Sequence, residues 1–269
     1  MLTRRGALSA AGCAAVAALV PGCTGGPDPA GRSGSSPGAG RHPAALTARP
    51  GPGGGSAPPG ERALGVADVR DALLLVPPGL PPGEPVALVL TLHGAGGDAA
   101  GGLAPLRPLA EEHALVLLAP ASRGSTWDAI TGGYGVDAEL VDRALTRAFA
   151  TVAVDPGRVA VAGFSDGASY ALGLGLANGE LFRRVVAFSP GFVPDGPRVG
   201  RPDVHVSHGD DDEVLPVDRT SRRIVPALRA AGYDVTYREF DGPHVVPPEV
   251  AREAAARLSR PSAAASDGG

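Results

Sequence analysis

The sequence predicts an α/β fold, an open and mostly parallel sheet flanked by helices. Three observations carry this. Apolar runs of strand length recur along the chain. Longer helical patterns separate them. Several runs are nearly continuous in Val, Leu and Ala, as central parallel strands covered on both faces require. The strand candidates are 72–76, 86–93, 115–119, 158–164, 185–188, 203–208 and 235–240. Helical patterns fall at about 103–113, 138–152, 167–178, 219–231 and 248–258, with Asp137 and Asp166 as candidate caps. In such sheets the functional site lies at the carboxyl ends of the strands.

Composition sets the outer limits. The chain has 269 residues, enough for one sizeable core. Only 4% are aromatic, so small aliphatic side chains must fill that core. The net charge of -4 gives no electrostatic reason to expect nucleic acid. The two cysteines, Cys13 and Cys23, stand near the start, so the body carries no disulfide and no thiolate metal site.

The first 23 residues have the pattern of an export signal: Arg4-Arg5, an Ala/Leu/Val run to Val20, then Pro21-Gly22-Cys23. The run is too short to span a bilayer. Thr3-Arg4-Arg5-Gly6-Ala7-Leu8 is similar to a twin-arginine signal. Val20-Pro21-Gly22-Cys23 resembles a bacterial lipobox, in which Cys23 carries the lipid. The expected product is a cell-surface lipoprotein or a secreted protein, touching a membrane only through its N-terminal anchor. Residues 24–62 are rich in Gly, Pro and Ser and are expected to form a disordered tether. The folded domain is expected over 63–258 and a disordered tail over 259–269.

Chemistry enters at Gly163-Phe164-Ser165-Asp166-Gly167. The apolar strand Val159–Ala162 precedes it and a helical run follows from Ala168. A G-x-S-x-G pattern in this strand–turn–helix setting is a nucleophile elbow, with Ser165 the nucleophile. A second signal is Leu92-His93-Gly94-Ala95-Gly96-Gly97-Asp98, an apolar strand running into a glycine turn. Acyl transfer needs backbone N–H groups aimed at a developing oxyanion. Asp166, after the nucleophile, should supply one, and Ala95, with Gly96 next, the other. No Lys-Ser/Thr follows, which argues against a phosphate loop. His93 is assigned to shaping the turn.

A serine hydroxyl needs a histidine base, and that histidine needs a carboxylate. The chain order is Ser, acid, His. Of the six histidines only His244, in Asp241-Gly242-Pro243-His244, follows the last strand and satisfies that order. The acid should lie in His208-Gly209-Asp210-Asp211-Asp212-Glu213, where spacing does not choose among three aspartates and a glutamate.

Three blocks, Leu92–Asp98, Gly163–Ala168 and His208-Gly209-Asp210-Asp211-Asp212-Glu213-Val214-Leu215-Pro216, resemble the phospholipase/carboxylesterase family of α/β-hydrolases, with acyl-protein thioesterases among its members. The resemblance covers about residues 85–258. It implies the α/β-hydrolase fold. The short loops after the sixth and seventh strands leave little or no room for a cap domain, and the acyl-transfer chemistry calls for no metal or organic cofactor. The family pattern His-Gly-x-x-Asp-x-x-Val/Leu-Pro maps the acid onto Asp212, and Gly-x-His maps onto Gly242-Pro243-His244. The residue after His-Gly, Ala95, provides the second N–H. Asp166 departs from the Gln or Gly common in the family. Trp127, the only Trp, lies where a substrate wall is expected. The implied activity is hydrolysis of small or medium carboxylic esters, on a small-molecule or polymeric substrate. Polyester depolymerases and feruloyl-type esterases share the motifs. A non-catalytic surface lipoprotein that kept the fold is the alternative of another class.

Overall fold

The computed structural model describes residues 43–260 apart from Gly53 and Pro82. The export signal, the lipidation of Cys23, the tether up to His42 and the tail from Pro261 lie outside the described residues.

Among the described residues eight strands form one sheet: β1 (Gly60–Ala63), β2 (Leu73–Val76), β3 (Val86–Leu92), β4 (Leu115–Ala119), β5 (Val154–Phe164), β6 (Arg184–Phe188), β7 (Asp203–Gly209) and β8 (Val235–Phe240). Their spatial order is β1-β2-β4-β3-β5-β6-β7-β8. The β1–β2 and β2–β4 pairs are antiparallel, and all pairs from β4 to β8 are parallel. The central strands read as unbroken apolar runs because both faces are covered. On β3, Leu88, Leu90 and Leu92 enter one core layer, and Ala87 and Val89 enter the other. Each such leucine contributes about 2 kcal/mol by leaving water.

Among the described residues six α-helices accompany the strands: α1 (Ala99–Leu103), α2 (Asp128–Thr131), α3 (Val136–Thr151), α4 (Asp166–Ala177), α5 (Ser221–Ala230) and α6 (Pro248–Leu258). On one face of the sheet, α3 supplies Val141, Ala144, Leu145 and Ala148, α4 supplies Tyr170, Leu172, Leu174 and Leu176, and α5 supplies Ile224 and Leu228. On the other face lie α1, through Ala99 and Leu103, and α6, through Val250, Ala254 and Leu258. No helix among the described residues is long and apolar enough to cross a membrane.

Several sequence expectations need correction. The helix expected over 103–113 is α1 followed by a short 3-10 turn, Arg107–Leu109. Pro105 and Pro108 cannot donate to a continuous helical ladder. Asp98, unread in the sequence, caps α1 by accepting the Gly101 N–H at 2.8 Å. Asp137 is not a cap: it lies inside α3, buried, and accepts the N–H groups of Arg123 at 2.7 Å and Asp128 at 2.8 Å. Asp166 is likewise the first helical residue of α4 rather than its cap.

The tether expectation fails over 43–62. Ala44, Leu46 and Ala48 are buried. Asn178, just past α4, accepts the Leu46 N–H at 2.8 Å and donates to the Ala44 carbonyl at 2.8 Å. On α3, Asp142 accepts the N–H groups of Thr47 at 2.6 Å and Ala48 at 2.8 Å. Gly60–Ala63 then pairs with β2. Local composition favoured solvation, but these distant partners satisfy the backbone polar groups and admit the few apolar side chains.

His205 on β7 is 4% exposed, and neither ring nitrogen has a partner among the described residues. Burial pushes its pKa down to about 4, Arg257 and Arg238 push the same way, and Glu253 opposes them. The unfolded chain takes up a proton near pH 6.5 that the folded state refuses until about pH 4. Stability therefore falls on acidification through that window, by about 3 kcal/mol from this residue. Urea denaturation at pH 7 and pH 4.5 should show a shallower loss for His205→Gln than for the wild type. An unchanged pH slope would refute the contribution.

Candidate active site

The site is assembled at the carboxyl ends of β3, β5, β7 and β8. The pairing of Leu92 with Gly163 sets the turn after β3 beside the turn after β5. That second turn is very tight. A Cβ on Gly163 would lie 2.1 Å from the Gly167 carbonyl oxygen, and one on Gly167 would lie 2.3 Å from the Leu92 carbonyl oxygen. Only glycine permits this approach. Ser165 between them has φ 57° and ψ -121°, a conformation strained for any residue with a Cβ. Its N–H is held by the Phe188 carbonyl of β6 at 2.9 Å. Helix α4 begins at the next residue, so its positive end faces the serine.

The Ser165 hydroxyl lies 2.9 Å from His244 Nε2, and His244 Nδ1 lies 2.5 Å from Asp212 Oδ2. The structure thus brings together three side chains from three separate loops. In the matching tautomer the serine hydroxyl donates to Nε2 and Nδ1–H donates to the carboxylate. The Phe164 ring packs against the imidazole, with centroids 4.7 Å apart. The pairing of Gly209 with Phe240 aligns the ends of β7 and β8, and the Asp211 N–H donates to the Gly242 carbonyl at 3.1 Å.

Asp212 is held on all sides. Its Oδ1 accepts the N–H groups of Val214 at 2.9 Å and Leu215 at 2.7 Å. Its Oδ2 also faces His208 Nε2 at 3.1 Å. Burial alone would raise the Asp212 pKa, but the Leu215 N–H, His244 and His208 together bring it below the usual value. The carboxylate therefore stays ionised. His208 is fully buried, and burial is the main influence lowering its pKa. Its Nε2–H reaches the Leu215 carbonyl at 2.7 Å, and its Nδ1 accepts the Ser221 hydroxyl at 2.7 Å. His208 thus locks the loop that carries Asp212. Sequence order ruled it out as the base and left it without a role; its i, i+4 spacing to Asp212 was the available signal.

In the turn after β3, Gly96 donates its N–H to the Ser125 carbonyl at 2.6 Å, which removes it as an oxyanion donor. Among the described residues the Ala95 N–H has no backbone acceptor. His93 is buried and neutral: desolvation lowers its pKa, with Gly94 opposing. Its Nδ1–H donates to the Gly94 carbonyl at 2.7 Å and its Nε2 accepts the Ser122 N–H at 3.0 Å.

Trp127 corrects another expectation. It is 0% exposed, so it lines no substrate surface. Its indole N–H donates to the His93 carbonyl at 2.9 Å, and its ring stacks on Tyr170 with centroids 5.0 Å apart. Beside His244 lies an open groove of about 910 Å³, lined by Asp210, Asp211, Asp212, Glu213, Val214, Pro216, Pro243 and His244. The carboxylates of Asp210, Asp211 and Asp241 cluster within 4.8 Å, all exposed. The use visible for Asp210 is structural: it accepts the Gly242 N–H at 3.1 Å, within the turn carrying His244.

Comparison with known proteins meets this geometry. Residues 136–258 match the family model described as Phospholipase/Carboxylesterase. Over that stretch the chain resembles the α/β-hydrolases of that family. Among solved structures, the hydrolase is similar to esterase PE8, with 26% identity and a TM-score of 0.53, over 65% of this chain and 93% of that one. It is also similar to TT1662 from Thermus thermophilus, with 25% identity and a TM-score of 0.52, over 70% and 92%. The fluorophosphonate-binding serine hydrolase FphF of Staphylococcus aureus, 13% identical, shares the fold with a TM-score of 0.58, over 71% and 92%. No curated protein matches the sequence. The hydrolase is therefore an enzyme of the serine-esterase type.

The tight turn makes a sharp prediction. Gly163→Ala should cost roughly 4 kcal/mol or more, or prevent folding, because the new Cβ meets backbone that cannot move. Gly96→Ala, at φ +70° with open space around it, should cost only about 1 kcal/mol. Thermal melts of the two purified variants test the contrast; equal stabilities would overturn it.

Proposed function

We propose that the enzyme hydrolyses small or medium carboxylic esters through Ser165, His244 and Asp212 by way of an acyl-enzyme. The observation that carries this reading is the unbroken hydrogen-bonded line from the Ser165 hydroxyl through His244 to Asp212. His244 Nε2 takes the hydroxyl proton as Oγ attacks the ester carbonyl carbon. Asp212 stabilises the imidazolium, which an ionised carboxylate can do and a protonated one cannot. The N–H groups of Asp166 and Ala95 receive the carbonyl oxygen as it gains negative charge. The imidazolium returns its proton to the departing alcohol, leaving the acyl group on Oγ. Water, deprotonated by His244, then attacks that acyl carbon, and Oγ leaves with the proton.

The substrate range follows from the surroundings. The groove beside His244 is open, which favours esters that arrive from water. Val214 and Val245, next to Asp212 and His244, and Phe192 are exposed apolar side chains suited to the hydrocarbon parts of an ester. The Met1–Cys23 signal supports an exported enzyme anchored through Cys23. Mass spectrometry of the mature N-terminus should find a diacylglyceryl cysteine; an unmodified start beyond Cys23 would exclude the anchor.

Ser165→Ala should abolish both labelling by a fluorophosphonate probe and turnover of p-nitrophenyl acetate. Asp212→Asn should fold normally and lose about 10⁴ in kcat, because the imidazole is then held in the wrong tautomer. Labelling of Ser165→Ala at the wild-type rate would sink the assignment.

A further inference from the structure

Three consecutive residues between β4 and α2 hold both loops of the proposed oxyanion hole. The Ser125 carbonyl accepts the Gly96 N–H at 2.6 Å. The Thr126 hydroxyl donates to the Asp166 carboxylate at 2.6 Å. The Trp127 indole N–H donates to the His93 carbonyl at 2.9 Å. The first and third bonds grip the turn that carries Ala95. The second grips the turn that carries Ser165 and Asp166. Among the described residues no backbone hydrogen bond joins those two turns directly. Their polar connection runs through this strap, which the buried Trp127 ring anchors between His93 and Tyr170.

The Thr126 bond matters for charge as well as position. Asp166 opens α4, so its carboxylate stands beside the backbone N–H proposed to meet the oxyanion. A carboxylate free to rotate there would oppose the negative charge forming on the carbonyl oxygen. Bound to Thr126, it is turned toward the strap. The same bond fixes the first residue of the helix and hence the direction of its N–H.

We propose that Thr126 is a positioning residue for the oxyanion hole, acting through Asp166. This rests on the ester-hydrolysis reading above. The test uses Thr126→Val, which removes the hydroxyl at nearly constant shape, with Thr126→Ala as a second deletion and Thr126→Ser as the rescue. Each is assayed for kcat and KM on p-nitrophenyl acetate, for affinity toward benzeneboronic acid, which forms a tetrahedral adduct on the serine, and for melting temperature. Thr126→Val and Thr126→Ala should lose about tenfold in kcat with KM nearly unchanged, and boronate affinity should fall in parallel. Thr126→Ser should stay within about threefold of wild type in kcat. Adding Thr126→Val to Asp166→Ala should change little further, because the partner is already gone.

An active wild type whose deletion variants keep full kcat and boronate affinity overturns this proposal alone. So does an equal loss from Thr126→Val in the Asp166→Ala background, or a serine variant as impaired as the valine one. A folded wild type that neither turns over ester nor labels with fluorophosphonate overturns the parent reading as well. Should Thr126→Val fail to fold, Thr126→Ala and Thr126→Ser still decide the question.

Discussion

Everything at this site depends on how closely three stretches of backbone approach one another at Ser165. The end of β5, the start of α4 and the end of β3 meet within distances that leave no room for a Cβ at Gly163 or Gly167. This crowding forces Ser165 into its strained conformation, because the chain must reverse from strand to helix in a single residue. The strain is sustained by what surrounds it. The Phe188 carbonyl holds the serine N–H, and α4 buries most of its length in the core. A serine in relaxed backbone would leave its hydroxyl among its neighbours. Here it projects toward His244.

The polar groups around the serine are arranged to stay in one protonation state. His93 and His208 are buried, lowered in pKa and fully engaged, so they hold loops in place without competing for the serine proton. Asp212 receives two backbone N–H groups and two imidazoles, more donors than burial can offset, and remains a carboxylate. These are opposite outcomes of one competition between desolvation and hydrogen bonding. For the neutral rings desolvation wins; for the carboxylate the donors win.

Legibility in the sequence followed the range of the interactions. The strands of the parallel sheet could be read because burial on both faces writes itself as continuous Val, Leu and Ala. The turn at 163–167 could be read because its steric demand falls on two glycines within five residues. His244 could be singled out because topology limits where a base can stand. Among Asp210, Asp211 and Asp212 the choice came from family resemblance, since all three are acidic and adjacent, and the distinguishing bonds come from Val214, Leu215 and two histidines. Residues 43–62 were misread because their stabilising partners, Asn178 and Asp142, lie roughly a hundred residues away. Trp127 was misread for the same kind of reason: a lone aromatic in a polar loop gives no sign that His93 and Tyr170 enclose it.

On the proposed reading, the strap at 125–127 makes such long-range contacts matter for chemistry and not only for stability. A nucleophile and its base can be aligned within one set of loops after the strands. An oxyanion hole with one donor after β3 and one after β5 needs a third party to keep the two in register. The sheet alone aligns Leu92 with Gly163, but beyond those residues the two turns leave the ladder and nothing in the sheet constrains them. Ser125, Thr126 and Trp127 take over where the strand pairing stops, with two bonds to the turn after β3 and one to the turn after β5. The departure at Asp166 then has a physical reading. An acidic residue after the proposed nucleophile is tolerable where a neighbouring hydroxyl turns its charge away from the proposed oxyanion site, and Thr126 stands in the position to do so.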